Sequence, residues 1–442
     1  MNTTWVMVAA ALVFFMQAGF AFLEIGMSRG KNAGTGIAKI LVNFSIGTLI
    51  WWAVGFGFGF GGGGEILGTS GFLIGHGTSV AGTPADSAEL GFFVFQLMFA
   101  CVSLAIVWGS TLERIRFGAY IIFAVVFSAI IYPLIAHAAW NGGVLARLGN
   151  GVQDFAGSSV VHLTGATAAF AAVLVLGPRK GKYGPDGKPR AIPGHSMPLL
   201  GLGTLILWLG WFGFNGGSTL GTANNSFAEV IAVTNMGAIG GVIGAMFLIW
   251  MLQRKLDVGM ICNGAIAGLV AITAPSGYVE MWAAPLIGLV AGLLVVAGVL
   301  AIDKKIDDPV GALSAHGLAG IWGTLSCGLF ASTRLADLNG IGKPGLFYGG
   351  GFEQLGVQAV AVLFTFSVVF VLSFATFKAI KATIGLRVTE QDEDAGLDMA
   401  EHGMYGYPEQ FIPAPELIGV GTVQPRVSSP AVPLGSTTEV PA

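Results

Sequence analysis

The chain has 442 residues, of which 54% are hydrophobic. Only 10% are charged, against roughly 25% in an average soluble domain, so the composition excludes a soluble globular protein and predicts a polytopic membrane protein. The formal net charge of −3 indicates no particular partner, and the three cysteines all lie in apolar runs, which argues against a disulfide framework or a metal site.

Apolar stretches of roughly 20 residues, long enough to cross about 30 Å of hydrocarbon, predict eleven transmembrane helices. In chain order they lie near 4–25, 34–60, 89–111, 117–138, 155–177, 196–218, 226–251, 258–275, 281–302, 310–331 and 352–384. No basic residue precedes the first stretch, so we expect a retained helix and not a cleaved signal peptide. The last stretch would form a helix about 50 Å long, which must tilt or project beyond the bilayer.

The basic residues are distributed unequally between alternate loops. Sixteen Lys and Arg residues fall in one set of loops and three, Arg147, Arg334 and Lys343, in the other. Because Lys and Arg concentrate in cytoplasmic loops, this bias predicts an external N-terminus and a cytoplasmic C-terminus. We therefore expect a multi-pass protein of the cell's plasma (inner) membrane, with a transmembrane domain over 1–385.

The tail over 386–442 differs in composition from the rest of the chain. Its first part is acidic, and its last part, from Ile412, is rich in Pro, Ser, Thr and Val. We expect the acidic part to be able to dock on the basic loops and the last part to be disordered.

Two stretches share an unusual spacing in the apolar sequence. "DFAGSSVVH" runs from Asp154 to His162 and "DPVGALSAH" from Asp308 to His316. The predicted helices that contain them run in opposite directions, as matching members of an inverted repeat do. With repeats over about 4–177 and 196–331, and about 12 Å of helical rise from each Asp, both histidines would reach the same depth. We therefore predict that His162 and His316 are neighbours near the membrane midplane.

Structural explanations of these residues remain open. Asp308 before Pro309 is typical of a helix N-cap followed by proline at the first position, and Asp154 is compatible with a cap too. A single intramembrane histidine can serve packing alone, but two at matched spacing favour function, since ionisable groups are costly in lipid. His76, His195 and His402 are interpreted as loop or tail residues, and His137 remains ambiguous.

Several motifs together resemble a known family. They are "DFAGSSVVH", "GWFGFNGGS" (210–218), "DDPVGALSAHGLAG" (307–320), "ERIRF" (113–117) and "GLRVTEQDEDAGLDMAEHG" (385–403). On these motifs the chain resembles the ammonium transporters of the Amt/Mep/Rh superfamily, in particular its bacterial Amt branch, from about residue 4 to 411. The resemblance implies a homotrimer of eleven-helix protomers, each with its own hydrophobic pore, and no cofactor. It also implies a possible PII-type regulatory partner at the cytoplasmic face.

The resemblance further implies roles for particular residues. An outer ammonium site would comprise Trp140, Phe99 and Ser218, with Trp211 as a helper beneath them. Phe99 and Phe214 would form a stacked gate below that site. Each aromatic residue singly is also common near membrane interfaces. The sequence departs from relatives after "DDP", where it has Val310 and Gly311 in place of a further polar residue.

The chemistry of the paired histidines fits selection of ammonium. Potassium has a similar size and the same charge as ammonium but no proton to give, so a dry pore that requires deprotonation admits only ammonium, as ammonia. We expect His162 and His316 to bind the permeant and relay its proton, with Asp154 orienting the approach and Asp308 in a supporting place. We predict net charge movement.

Three functions other than ammonium transport are compatible with parts of the sequence. An electroneutral ammonia channel of the Rhesus type would typically lack the outer Trp140 and Ser218 pair. An ammonium sensor or structural protein is the second alternative, although the tail is too short for a signalling domain. The third is a bis-histidine haem or metal enzyme, but the sequence has no C-x-x-C-H motif and no suitably spaced third ligand. We therefore predict a transporter and not an enzyme.

Overall fold

The fold is all-helical, as the sequence predicts. A computed structural model describes residues 1–75, 86–223 and 226–411, and within them the only β pairing consists of isolated bridges. His76 and the predicted disordered segment from Ile412 lie outside the described residues.

Within the described ranges, nine helices are long and apolar enough to cross a membrane. With two shorter or more polar ones, we number them α1 Thr3–Met27, α2 Gly30–Phe60, α3 Ser87–Gly109, α4 Phe117–Trp140, α5 Ser158–Leu176, α6 Met197–Gly217, α7 Ser226–Gln253, α8 Val258–Thr273, α9 Ala283–Ile302, α10 313–330 and α11 Glu353–Thr383. Each lies within a few residues of a predicted span, while the number of membrane crossings stays a prediction.

Short elements complete the described chain. They are the 3₁₀ turns Pro275–Gly277 and Leu346–Tyr348 and the helices Thr333–Asn339, Glu390–Ala395, Leu397–His402 and Pro408–Phe411. The last three helices belong to the tail that was predicted from residue 386.

Both histidine-bearing helices begin with a π-helical turn, at Ser158–Leu163 in α5 and Leu313–Leu318 in α10. Such turns are rare and are frequent at functional sites. They correct the expected geometry, because α5 begins four residues after Asp154 and α10 five residues after Asp308. The eight-residue spacing therefore does not measure 12 Å of continuous α-helical rise.

Close contact between helices depends on small residues, as is usual in membranes. A Cβ added at Gly288 of α9 would lie 1.9 Å from the Gly237 carbonyl oxygen of α7. At Gly244 an added Cβ would lie 2.3 Å from the Leu289 carbonyl oxygen. Side chains at these positions would force α7 and α9 apart.

A buried ionic cluster joins the loops at one end of the bundle. We call this end of the bundle the basic end and define it by Arg29, Arg114 and Arg179. Arg179 donates to both carboxylate oxygens of Asp307, each at 2.9 Å. Arg114 donates to the Asp307 carbonyl oxygen at 2.8 Å. Arg29 donates to Glu113 through its backbone N–H at 2.6 Å and its Nε at 2.7 Å. The cluster thus fixes the loops after α1, α3, α5 and α9 to one another.

The acidic part of the tail contacts the basic end. The Asp398 carboxylate accepts hydrogen bonds from the backbone N–H groups of Gly34, at 2.9 Å, and Thr35, at 2.7 Å. Glu393 accepts from the backbone N–H of Lys180 at 2.6 Å. The carboxylates therefore bind the first turns of α2 and the loop after α5, which is the docking that the charge pattern predicts.

Replacing Asp307 by Asn should destabilise the protein strongly. The change removes the carboxylate partner of Arg114 and leaves Arg179 with Glu113 at 3.5 Å, a loss of about 3–5 kcal/mol for a broken buried pair. Thermal unfolding in detergent, followed by intrinsic fluorescence, should give a lower Tm for D307N. Glu353→Gln is the matched control, since its pair with Lys343 is exposed and worth about 0–1 kcal/mol. Equal melting of the two variants would contradict this account.

The same cluster sets an acid limit to stability. Burial raises the pKa of Asp307, but the hydrogen bonds from Arg179 and the charge of Arg114 outweigh it and lower the pKa to about 2. Because the folded-state pKa lies below the unfolded value of about 3.9, the stabilisation is fully present above about pH 4 and is lost as the pH falls towards 2.

Candidate functional site

The two predicted histidines are neighbours in the interior of the bundle. The Nδ1 atoms of His162 and His316 lie 3.3 Å apart, and the ring centroids are 5.3 Å apart at an interplanar angle of 22°. The residues are 0% and 6% exposed. Antiparallel helices α5 and α10 thus bring the two motifs to one point, as the spacing predicts.

A hydrogen bond between like nitrogens has a chemical consequence. In two neutral imidazoles, one Nδ1 must donate and the other must accept. The donating ring then has a free lone pair on Nε2, and the accepting ring has a proton on Nε2. The pair therefore offers one acceptor and one donor to a molecule beside it. The Nε2 of His162 has no hydrogen-bond partner in the described part of the chain.

Aromatic rings cover the His162 side of the pair. Phe99 and Phe214 stack with centroids 4.0 Å apart at 17°, so the two residues predicted as a gate are in contact. The ring centroid of Trp211 lies 5.2 Å from that of His162, and the centroid of Phe214 lies 5.6 Å from it. Trp211 is itself held by its Nε1, which donates to Thr273 Oγ1 at 2.9 Å.

The residues predicted for the outer site lie beyond this stack, at the end of the bundle opposite the basic end. Trp140 meets Phe99 edge to face with centroids 6.1 Å apart. The Ser218 hydroxyl donates to the Phe214 carbonyl oxygen at 2.8 Å, which leaves its lone pairs able to accept. Ser218 also lines a cavity of about 240 Å³, together with Ser226 and Glu229. Ser218 thus borders this cavity and contacts Phe214, which stacks on Phe99.

Both carboxylate oxygens of Asp154 accept hydrogen bonds from backbone N–H groups at the start of α5. One carboxylate oxygen accepts from the Gly157 N–H at 3.0 Å. The other accepts from the Ser159 N–H at 3.0 Å and the Val160 N–H at 2.9 Å. In addition, its carbonyl oxygen accepts from Trp140 Nε1 at 2.8 Å. Asp154 therefore satisfies the free N–H groups of a helix end and orients Trp140.

Asp308 has the corresponding place at the start of α10. It accepts from the Leu313 N–H at 2.8 Å and from the Ser110 hydroxyl at 2.9 Å. The expectation that Pro309 opens the helix is wrong, because α10 begins at Leu313. The intervening turn contains Gly311 with φ of +74°, a conformation that a residue with a side chain adopts only under strain.

A cavity on the His316 side is lined by residues that the sequence did not predict as part of the site. The cavity measures about 20 Å³ and is lined by His316, Phe20, Glu24 and Asn263, among others. Glu24 lies in α1 and is 1% exposed. The available signal was an acidic residue within the first apolar span, which is costly in a membrane and marks function by default.

The remaining histidines fall outside this row of residues. His195 lies in a loop, where its ring contacts the Ser28 carbonyl oxygen at 2.8 Å and the Tyr407 hydroxyl at 3.0 Å. His402 ends a tail helix, and His137 contacts the Gly64 carbonyl oxygen at 3.1 Å.

Residues 4–407 match the sequence model of the Ammonium Transporter Family. The chain belongs to this family. Members of the family are transporters and not enzymes, and the transporter described here is accordingly a multi-pass, all-helical membrane protein.

Individual ammonium transporters are similar to this chain over most of its length. Ammonium transporter Amt2 of Archaeoglobus fulgidus is 43% identical over 417 residues, which cover 91% of this transporter and 87% of the relative. The solved structure of the Sensor Amt Protein superposes with a TM-score of 0.84 at 38% identity and covers 91% and 98% of the two chains. The crystal structure of Candida albicans Mep2 superposes with a TM-score of 0.78 at 29% identity and covers 88% and 86%.

Truncating Asp154 should unfold the start of α5 in the transporter. Asp154→Ala leaves three buried N–H groups without an acceptor, at about 1–3 kcal/mol each, so its Tm in detergent should fall markedly. Asp154→Asn retains one acceptor oxygen and should melt between the alanine variant and the parent. Asp337→Asn, on an exposed helix face, is the control. A parental Tm for the alanine variant would refute the capping role.

Proposed function

We propose that this chain transports ammonium by recruiting the cation at an outer aromatic and hydroxyl site, removing its proton and conducting ammonia past His162 and His316. The observation that supports the proposal most strongly is the contact between the two buried imidazoles, which line up with the Phe99–Phe214 stack on one side and a small cavity on the other. Family membership supplies the substrate.

The pathway selects ammonium over potassium because the pore is apolar and excludes water. A bare cation loses several kcal/mol or more in an apolar pore, whereas neutral ammonia passes at little cost. The free Nε2 of one imidazole accepts a proton from ammonium, and the N–H of the other ring donates to the ammonia lone pair. Potassium can do neither, so it is excluded although its charge and size are similar.

The outer site attracts the cation before it loses its proton. A cation over the faces of Trp140 and Phe99 gains about 0.5–2 kcal/mol. The Ser218 hydroxyl accepts an N–H bond, and the wall of the same cavity also contains Glu229, whose carboxylate is paired with Arg334. Trp211, in contact with both His162 and Phe214, supports the site from beneath.

We also propose the membrane arrangement that the charge bias predicts. The basic end faces the cytoplasm of a cell bounded by the plasma (inner) membrane, and the N-terminus lies outside. The eleven helices comprise inverted repeats over about 4–177 and 196–331 followed by α11, within a transmembrane domain over 1–385. The matched π-helical starts of α5 and α10 support the repeat.

The oligomer and the regulatory partner are proposals from the resemblance. We propose a homotrimer with one pore in each protomer, and a PII-type protein that binds the basic end. The tail docked on α2 through Asp398 is positioned to influence such binding. Native mass measurement of the purified protein, and a pull-down from nitrogen-replete and nitrogen-poor cells, test the two statements separately.

Replacing Trp140 by Leu should weaken ammonium recruitment. Loss of about 0.5–2 kcal/mol of cation–π energy corresponds to a rise of about 2- to 30-fold in half-saturating ammonium, with the maximal rate less affected. The concentration dependence of ammonium-evoked currents measures this. Trp282→Leu removes an exposed tryptophan that does not line the outer cavity and should leave the curve unchanged. An unshifted curve for Trp140→Leu would remove this residue from the site.

The histidines can be tested in liposomes on a solid-supported membrane, with ammonium and potassium pulses. The parent protein should give a transient current with ammonium alone. His162→Ala and His316→Ala should each lose this discrimination, whereas His195→Ala, outside the row, should behave as the parent.

The alternative functions predict different combinations of current and internal pH change in this experiment. A rise in internal pH without current would indicate an electroneutral ammonia channel of the Rhesus type. Ammonium binding with neither current nor a pH change would indicate a sensor. Unchanged selectivity in both alanine variants would refute the relay.

A further inference from the structure

Glu24 has an unusual position for an acidic residue. It lies in the last turn and a half of the 25-residue helix α1 and is 1% exposed. Neither carboxylate oxygen has a hydrogen-bond partner in the described part of the chain. Buried polar groups are normally paired, because an unpaired one costs free energy, so this carboxylate requires an explanation.

Glu24 and His316 line the same cavity. This cavity of about 20 Å³ also contacts Asn263 and lies towards the basic end from the histidine pair. A site of about 10–15 Å³ holds one water on this scale, provided that polar partners are present. His316, Glu24 and Asn263 are such partners, so a water here can connect the imidazole to the carboxylate.

A basic residue on the adjacent helix complements Glu24. Lys39 in α2 is 0% exposed, and its ammonium group has no hydrogen-bond partner among the described residues. The charges of Lys39 and Glu24 act on each other through the protein interior. A charge on Lys39 favours the ionised carboxylate of Glu24, whereas burial, the larger influence, favours the neutral acid.

We propose that Glu24 is the proton acceptor on the cytoplasmic side of the histidine pair. The inference rests on the proposed function and adds the group that receives the proton after His316. On the other side, the residues offer aromatic faces, a hydroxyl and the Glu229 carboxylate, which is paired with Arg334. Among the described residues, the cavity beside His316 is lined by a carboxylate without a hydrogen-bond partner, Glu24.

The proton balance is complete. Ammonium releases a proton to the free Nε2 of His162 and remains as ammonia. His162 passes its Nδ1 proton to Nδ1 of His316, and His316 releases its Nε2 proton through the cavity water to the Glu24 carboxylate. The resulting carboxylic acid gives the proton to ammonia or water at the cytoplasmic mouth. Both rings are again neutral, with their tautomers exchanged. The starting state returns when each ring moves its own proton from one nitrogen to the other through a bound water or ammonia, which carries no charge across the pair.

The test compares two readouts on the same liposomes: ammonium-evoked current, and the internal pH rise that neutral ammonia conduction produces. Glu24→Gln keeps the size of the side chain but cannot accept a proton as a carboxylate does. The current should fall about a hundredfold, the lower end of what a positioned proton-transfer group contributes, while the pH rise persists. Glu24→Asp should retain an intermediate current. Glu65→Gln, an exposed carboxylate at the opposite end, is the control.

Each outcome decides the proposal. A parental current in Glu24→Gln overturns it and leaves the transport function intact. Loss of both current and pH rise in folded Glu24→Gln and Glu24→Asp also overturns it, because the residue would then only shape the pore. If Glu24→Gln does not fold, an undiminished current in Glu24→Asp overturns the proposal and a reduced one supports it. A parent protein without current refutes the electrogenic function and the inference with it.

Discussion

The carboxylate of Asp154 determines where α5 begins, and with it the position of His162. It accepts three backbone N–H bonds at the start of the helix, and the same residue orients Trp140 through its carbonyl oxygen. In a lipid environment those N–H groups have no water to bond, so a helix can begin inside the bundle only where a side chain supplies the acceptor. The depth of His162 and the orientation of the outer tryptophan therefore depend on one side chain.

The helices were predictable because twenty apolar residues in a row leave few alternatives. The contact between His162 and His316 was predictable for a different reason, since antiparallel segments with matched motifs must meet. The π-helical starts of α5 and α10 were not predictable. Each follows a turn in which an Asp carboxylate accepts backbone N–H groups, and neither hydropathy nor spacing predicts such a turn.

Glu24 shows a second limit of sequence reasoning. The span that contains it is so apolar that one carboxylate does not change its assignment as a helix. The structure places Glu24 beside the cavity that His316 lines, and neither of its carboxylate oxygens has a partner among the described residues. The Asp307 carboxylate differs from that of Glu24 in having charged partners. That carboxylate is also buried, but two guanidinium groups compensate it, so its place is in the ionic cluster of the basic end.

The contact between the two imidazoles is symmetric, because each ring uses its Nδ1. Either ring can therefore be the donor, and the proposed relay through the histidines can run in either direction. By microscopic reversibility, the chemical gradient and the membrane voltage alone set the direction of net movement. If one charge accompanies each ammonia, a voltage of 100 mV is worth about 2.3 kcal/mol and supports an accumulation of about 50-fold. The same pathway would release nitrogen from a depolarised cell.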